Sequence, residues 1–377
     1  MNKLNPKYFF FGLIIAILSL SMAGWRMTTE NIFANFSRFH LFISPEAQYF
    51  PTSRQLMALT RGTVSKNKII VLIGGSSVMR GTGQGPDDLW STVLQKELGD
   101  KYQVLNLALN GGNAGGQALY MTEALAAEEY KVIFISDAEP FTFGLLPNNV
   151  KIYSGMFFDA LERGYIKPFP ERIDYVTKVS YAQDPGMLSE HQLKAMLNSQ
   201  LNFDDLWAYL GYQHFFTIWT QFTANSSFSY DAPWKPRKVY GDTEINCDLS
   251  RNRLFLKEEM KIIRDAINAA PLENDIDEAL SATIPSALKD NTLFIIKSYS
   301  PFYLRNLSVE ERGIFDNKLL LAQKKYESLG ISTVLVLPNF KTKDFCDRNH
   351  LSESGGKIFA KTIAPYVTKK ARELGYE

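Results

Sequence analysis

The sequence has little cysteine and no concentration of positive charge. Its two cysteines, Cys247 and Cys346, are too few for a disulfide scaffold and lack the CxxC spacing of a metal site. The formal net charge is +1, and no stretch is rich in Lys and Arg, so there is no electrostatic case for nucleic-acid binding. We therefore expect no metal, no other cofactor and no nucleic-acid partner.

Long apolar runs are also scarce, because only one stretch is a candidate for crossing a membrane. Tyr8 to Trp25, YFFFGLIIAILSLSMAGW, is uncharged, follows Lys3 and Lys7, and precedes Arg26. About 18 residues is the short end of a bilayer span, and positive charges in front of it favour a cytoplasmic N-terminus. We favour an uncleaved anchor. The alternative is a signal peptide cleaved near the small-x-small sequence SMA. Both interpretations export everything after residue 26.

From Lys68 the chain alternates apolar runs with amphipathic stretches. The runs KIIVLIGG, YQVLNLALN and KVIFIS are typical of buried strands, and PDDLWSTVLQKEL and QALYMTEALAAEEY between them are typical of helices. The alternation stops near residue 141. It resumes with two further strand-like runs, NTLFIIKSYS and then STVLVLPN. This pattern predicts an α/β fold, a doubly wound, flavodoxin-like parallel sheet of about five strands. The predicted organisation is a cytoplasmic tail (1–7), an anchor or signal peptide (8–25), a linker (26–65) and an α/β domain (66–377) with a mostly helical insertion at about 141–288.

Several helix boundaries follow from local signals. Pro86 predicts the start of the first domain helix and Gly99 its end, while Ser308 with Glu311 fits a capping box. A last helix is expected from about Glu353 to Leu374. Within the insertion, the aromatic stretch LWAYLGYQHFFTIWTQF is interpreted as core. The alternative is a second membrane-associated element or an acyl-binding groove.

Three strand ends carry residues of the types that are used in catalysis and ligand binding. GGSSVMRG follows the first strand, NLALNGGNAGG lies at the second, and DFCDRNHLSESGG comes shortly after the last. In an open parallel sheet, ligands bind beyond the carboxyl ends of the strands, so these segments converge on one edge. These segments contain the groups that acyl chemistry needs. The serine can act as the nucleophile, the Asp-x-x-His can supply a base with its orienting carboxylate, and the glycine-rich turn can supply N–H groups for an oxyanion.

These segments resemble the blocks of the SGNH (GDSL-type) hydrolases. Gly75 to Gly81, GSSVMRG, is similar to the first block of the family, which implies that Ser77 is the nucleophile. Asp347 and His350 match the Asp-x-x-His of the last block, and a helical sequence follows as in the family. The second block of the family corresponds to Gly111, whose N–H the resemblance pairs with that of Ser77 as the oxyanion donors.

The sequence departs from the family pattern at two positions. The Asp that precedes the nucleophile in the family is Ser76 here, and the Gly-x-Asn-Asp of the third block is replaced by SDAE after KVIFI. The oxyanion-hole asparagine of the family is therefore missing from its expected place, and Asn110 and Asn113 are the candidate substitutes. Together with the anchor and the insertion, these departures resemble the membrane-anchored branch, which includes the D-alanine transfer proteins of teichoic acid modification and the periplasmic partners of membrane-bound O-acyltransferases.

The resemblance implies a serine acyl enzyme, an esterase or O-acyltransferase acting on a cell-envelope polysaccharide or another acylated glycan. The alternative is a non-catalytic subunit of an envelope-polymer acylation complex. The implied location is the inner or cytoplasmic membrane, single-pass, with the catalytic domain outside the cytoplasm and a membrane-bound O-acyltransferase as a candidate partner. In that oxidising compartment Cys247 and Cys346 are candidates for a disulfide.

Overall fold

The structure is a computed structural model of the chain, and it confirms the predicted α/β fold class. It describes residues 6–27, 41–42, 48–49, 52–85, 88–109, 111–112, 114–138, 150–210, 256–268, 279–280 and 282–377. Within these ranges, an all-parallel sheet of five strands carries helices on both faces, and an apolar helix lies near the N-terminus.

The described strands are β1 Leu41–Phe42, β2 Gln48–Tyr49, β3 Ile69–Ile73, β4 Tyr102–Asn106, β5 Lys131–Asp137, β6 Thr292–Lys297 and β7 Ser332–Val336. The first two form a separate antiparallel pair, and the other five form the sheet in the order β4-β3-β5-β6-β7 with every pair parallel. This is the flavodoxin-like order, in which the chain reverses direction across the sheet between β3 and β5. Ligand sites of such sheets lie at that switch point, so a site is expected at the segments that follow β3 and β5.

The described helices are α1 Pro6–Met27, α2 Ser53–Thr63, α3 Ser77–Arg80, α4 Trp90–Leu98, α5 Gln117–Ala127, α6 Val150–Glu162, α7 Pro170–Gln183, α8 Pro185–Leu201, α9 Phe203–Leu210, α10 Leu256–Asn268, α11 Pro301–Leu304, α12 Val309–Ser328 and α13 Glu353–Glu373. Helices α6 to α10 lie between β5 and β6 in the chain, so the described part of the predicted insertion is helical. Two short 3₁₀ turns occur at Ser286–Leu288 and Thr342–Asp344.

Both faces of the sheet are buried, which explains why its strands read as continuous apolar runs. Alternate side chains of β3 enter two separate cores, because successive residues of a strand point to opposite faces. Ile70 and Leu72 pack with α5, α12 and the insertion helices α6 and α10, while Val71 and Ile73 pack with α4 and α13. Helices α5 and α12 lie against the strands on the first of these faces, and the insertion helices α6 and α10 extend the same core by packing on α5, α11 and α12.

Two helices are shorter than the sequence pattern predicts. Helix α4 begins at Trp90, whose N–H donates to the Gln84 side-chain oxygen at 2.9 Å and so ties the start of the helix to the preceding loop, while Pro86 lies outside the described residues. Helix α5 ends at Ala127, two residues before Glu129 takes a left-handed φ of 63° that a helix cannot contain.

Two other helix boundaries agree with the prediction. Gly99 is the C-cap of α4 with a positive φ. The capping box at the start of α12 is present, because the side chains of Ser308 and Glu311 each bind the backbone N–H of the other residue.

Helix α1 stands away from most of the protein. Its side chains are mostly exposed, and among the described residues it is the one helix long and apolar enough to cross a membrane. The same properties suit a signal sequence.

Candidate active site

The structure brings Ser77, His350 and Asp347 together at the carboxyl end of the sheet. Ser77 opens α3, four residues after the end of β3, and the other two lie on the loop between β7 and α13. The His350 Nε2 lies 2.7 Å from the Ser77 Oγ, and the His350 Nδ1 lies 2.6 Å from the Asp347 Oδ2. Residues that are far apart in the sequence thus form one continuous hydrogen-bonded chain of serine, imidazole and carboxylate.

The loop that carries Asp347 and His350 is held closed by backbone contacts. Phe345 and Leu351 form an isolated antiparallel bridge, and the Cys346 N–H donates to the His350 carbonyl at 2.8 Å. Helix α13 starts directly afterwards, where the Ser352 hydroxyl accepts from the first turn as the N-cap. The closed loop presents the imidazole toward Ser77 from a fixed base.

The surroundings of Asp347 keep it ionised. Burial by itself raises its pKa, but the hydrogen bonds from the His350 ring and from the backbone N–H groups of Asn349 and His350 outweigh that effect and lower the pKa to about 2. An ionised carboxylate only accepts hydrogen bonds, so the proton of the neutral ring sits on Nδ1. The His350 Nε2 is thereby left to accept from the Ser77 hydroxyl, which is the tautomer that a general base needs.

The nucleophile turn is braced by the strand next to it. The Ser76 N–H donates to the Asp137 Oδ1 at 2.9 Å, the Ser76 hydroxyl donates to the Asp137 Oδ2, and the same hydroxyl accepts from the Val78 N–H as the N-cap of α3. Burial raises the pKa of Asp137, while these hydrogen bonds oppose the rise. The serine and the aspartate noted as departures in the sequence therefore contact each other.

Gly75 is required by that arrangement. Its φ is +103°, in the region that side chains rarely adopt, and a Cβ placed on it would lie 2.1 Å from the Asp137 Oδ1 and 2.8 Å from the Ser136 Oγ. The absence of a side chain lets β5 approach the turn closely enough to bind Ser76.

Of the candidate oxyanion donors, Ser77 and Gly111 are described. The N–H groups of both residues have no hydrogen-bond acceptor within the described part of the chain, and both belong to turns at the carboxyl ends of neighbouring strands. Asn110 and Asn113 lie outside the described residues. Ala138 stands at the position of the third-block asparagine and has no side-chain donor for an oxyanion, while the neighbouring Asp137 is bound to Ser76.

Lys297 was missed by the sequence analysis. This residue ends β6 and is 8% exposed, yet its ammonium group reaches the loop of His350. Its Nζ donates to the Asn349 backbone oxygen and side-chain oxygen at 2.8 Å each, and it lies 5.1 Å from the centre of the Phe345 ring. A buried lysine with these partners holds Asn349, the residue directly before His350 in the chain. Its one sequence signal is a lysine at the end of a buried apolar strand.

A second contact joins the same loop to the insertion. The Arg348 Nη1 donates to the Glu259 Oε2 of α10 at 2.6 Å, and the guanidinium stacks over the Tyr299 ring at 5.3 Å. The site is therefore held from two sides, by β6 through Lys297 and by the insertion through Arg348. No cluster of three His, Cys, Asp or Glu side chains suited to a metal occurs in the described ranges.

Cys346, directly before Asp347, is 2% exposed and is not a free thiol. Cys247 lies outside the described residues, so its pairing with Cys346 stays a prediction. We expect peptide mapping without reductant to recover the two cysteines in one linked fragment. Restricting the unfolded chain in this way contributes about 3–5 kcal/mol in the chain-entropy model, so Cys346→Ser should lower the free energy of unfolding. Free thiols at both positions in exported protein would contradict the link.

The arrangement can perform nucleophilic acyl chemistry. It combines a hydroxyl within hydrogen-bonding distance of an imidazole nitrogen, a carboxylate with a lowered pKa, and the N–H groups of Ser77 and Gly111, which have no acceptor among the described residues. No family model and no curated protein matches the chain.

Proposed function

We propose that the protein is a membrane-anchored serine acyl enzyme of the SGNH type that transfers or hydrolyses O-acyl groups of a cell-envelope glycan. The observation that carries the proposal is the hydrogen-bonded chain from Ser77 Oγ through His350 to Asp347, with distances of 2.7 and 2.6 Å. Both distances lie within the reach of about 2.6–3.2 Å that proton transfer to a base requires. The resemblance of the sequence blocks supplies the substrate class.

In the proposed reaction, the Ser77 Oγ attacks the carbonyl carbon of an ester or thioester while its proton passes to the His350 Nε2. The N–H groups of Ser77 and Gly111 bind the resulting oxyanion. Collapse of the tetrahedral intermediate breaks the bond to the leaving group, which takes the proton from His350 and leaves an acyl-serine. A water molecule or a glycan hydroxyl then gives its proton to His350 and attacks the acyl-serine, releasing acid or O-acylated glycan.

Helix α1 supports the membrane location in this proposal. Lys3 precedes it and Lys7 lies in its first turn, it carries no acidic residue, and Arg26 lies in its last turn. We propose that it is an uncleaved single-pass anchor in the cytoplasmic membrane with the α/β domain on the outer side, facing the envelope. A membrane-bound O-acyltransferase is the partner that this location and the sequence resemblance favour as the source of the acyl group.

One observation favours the alternative of a non-catalytic subunit. Ala138 occupies the position expected for the oxyanion-donating asparagine and has no side-chain donor, so the third donor must come from elsewhere or be lacking. Losing one such donor typically costs about 2.7–4 kcal/mol of transition-state stabilisation. A site weakened to this extent still suits an activated acyl donor, which is why we favour transfer over mere binding.

A serine-reactive fluorophosphonate probe separates the two functions. The enzyme predicts covalent labelling at Ser77, located by mass spectrometry, that is lost in Ser77→Ala and retained in Ser328→Ala, a surface serine at the end of α12. Absence of labelling in folded full-length protein would favour the binding subunit. In cells, the glycan of a Ser77→Ala strain should carry less O-acyl substituent if the protein is a transferase and more if it is an esterase.

Lys297→Met should impair turnover without weakening substrate binding. Removing the ammonium group frees Asn349 and lets the His350 ring drift, and a misplacement of that kind costs up to about 10²-fold in kcat. Ester hydrolysis should therefore show a lower kcat with KM nearly unchanged. The effect should be partly non-additive with Asn349→Ala, because that change removes the side-chain acceptor of Lys297 and leaves the bond to the Asn349 backbone oxygen.

The matched control is Lys289→Met, three residues before the start of β6, whose Nζ donates to the Leu329 carbonyl at 3.0 Å, away from the site. It should lose stability but keep kcat. Equal kcat values for the two lysine variants would show that Lys297 acts only on stability.

A further inference from the structure

The segment where α8 meets α9 lies against the apolar helix α1, although the two regions are far apart in the sequence. A Cβ placed on Gly24 would lie 2.2 Å from the Asn202 carbonyl oxygen and 3.2 Å from the Leu206 Cβ. The Arg54 Nη2 donates to the Trp25 carbonyl at 3.3 Å, and the Arg54 Nη1 donates to the Asn202 side-chain oxygen. The last turn of α1 therefore packs closely against the insertion.

The contacts also show which way α9 runs. Both α8 and α9 pack against α1, and α1 ends at Met27, less than one turn after Gly24. Ile17 and Ser21 are partly covered, and they share a helix face with Gly24 at a spacing of one and two turns. This covered face extends about 10 Å back toward the N-terminus, which matches the length of about 12 Å of the eight-residue α9.

The charges of α9 are confined to its first turn and are held by the protein. Asp205 is fully buried, with the Arg163 Nη2 at 3.2 Å and the Arg54 Nη1 at 3.6 Å, and Asp204 accepts from the Asn198 side chain. After this turn the sequence carries no Asp, Glu, Lys or Arg until Asp231. The helix is thus polar where it leaves the domain and free of charge where it runs beside α1.

Helix α8 exposes an apolar stripe next to this junction. Leu193, Met196 and Leu197 are 54%, 48% and 43% exposed, and their i, i+3, i+4 spacing places them on one face. Exposed apolar residues on a helix that also contacts a membrane anchor suit the interfacial region of a bilayer.

We propose that the α8–α9 corner, comprising residues 193–210, is embedded in the outer leaflet beside α1, with α8 at the interface and α9 descending into the hydrocarbon. The occupant of this surface is lipid, because the surface is continuous with a helix whose other faces are apolar and exposed. The inference rests on the proposed anchoring by α1 and goes beyond the proposed reaction. The α8–α9 corner includes residues 206–210 of the aromatic stretch that the sequence pattern predicts to be core, and residues 211–222 of that stretch lie outside the described residues.

Site-directed spin labelling tests the proposal on the full chain in vesicles of phosphatidylethanolamine and phosphatidylglycerol. Single cysteines replace Leu193 and Leu197 in α8 and Ala208 in α9. Leu18, 61% exposed in α1, reports anchoring, and Leu321, 52% exposed on α12, is the matched apolar control away from α1. The unsubstituted chain gives the labelling background. These positions are exposed or lie late in a short helix, so folding is checked by near-UV circular dichroism.

The measured quantity is the accessibility of each label to oxygen relative to a water-soluble nickel chelate. We expect a several-fold higher ratio at positions 193, 197 and 208 than at 321, with the greatest depth at 208. A ratio at any of these three positions equal to that at 321, while position 18 is in lipid, overturns the embedding and leaves the anchor intact. A water-exposed label at position 18 overturns the anchoring and the embedding together, without bearing on the acyl chemistry.

Discussion

Replacing Ser77 with alanine should lower kcat for a chromogenic ester by roughly 10³-fold or more, because the covalent route through the acyl-serine is lost. The structure gives the physical reason, since the Ser77 Oγ is the atom bound to the His350 Nε2 at 2.7 Å and no other described hydroxyl shares that imidazole nitrogen. The measurement is steady-state hydrolysis by the full-length protein in detergent. The wild-type rate itself is expected to be slow, because Ala138, at the position of the family asparagine, supplies no side-chain oxyanion donor.

The other members of the triad should show that the three act as a unit. His350→Ala should be nearly as severe as Ser77→Ala, and the double variant should be no worse than either, because a base without its nucleophile has nothing left to do. Asp347→Ala should be milder, since the imidazole is still present although its tautomer is no longer fixed. Ser328→Ala should keep wild-type activity. Unchanged hydrolysis in Ser77→Ala, with unchanged acyl content of the envelope glycan, would rule out the catalytic function.

Gly75→Ala should destabilise the protein and remove its activity together. The substitution forces a side chain into a φ of +103° and brings its Cβ to 2.1 Å from the Asp137 Oδ1. Left-handed strain costs roughly 1–2 kcal/mol and overpacking typically adds about 1–3 kcal/mol, so we expect a loss near 3 kcal/mol in the free energy of unfolding. Relief of the clash must separate Asp137 from Ser76, which moves the nucleophile, and kcat should fall by about 10²-fold.

Gly164→Ala separates the two contributions. Gly164 also has a positive φ, +70°, but no atom lies within 4 Å of the Cβ that would be added. This variant should lose only the conformational part, about 1 kcal/mol, and keep full activity. Denaturant unfolding and ester hydrolysis measured on both variants decide the matter. If Gly75→Ala matched Gly164→Ala in both assays, the turn would be able to relax and the close approach of β5 would not position Ser77.

The sequence by itself determined the parts of this protein that are local in the chain. Strands β3 and β5 were predictable because a strand buried on both faces is a continuous apolar run. Ser77 and the Asp347-x-x-His350 segment were predictable because each is a short motif at a strand end, and strand order places such ends on one edge. The start of α4 was misplaced because its boundary depends on a side chain from the preceding loop.

Only the tertiary structure decided the contacts that join distant residues. Lys297 reaches Asn349, Asp137 reaches Ser76, and these pairs have no spacing that a sequence pattern could reveal. The packing of α9 on α1 is likewise not predictable from the sequence pattern. An apolar aromatic helix has the same composition whether it lies in a protein core or beside a membrane anchor. Periodicity reports how much of a helix is buried, and the partner that buries it is set by where the rest of the chain goes.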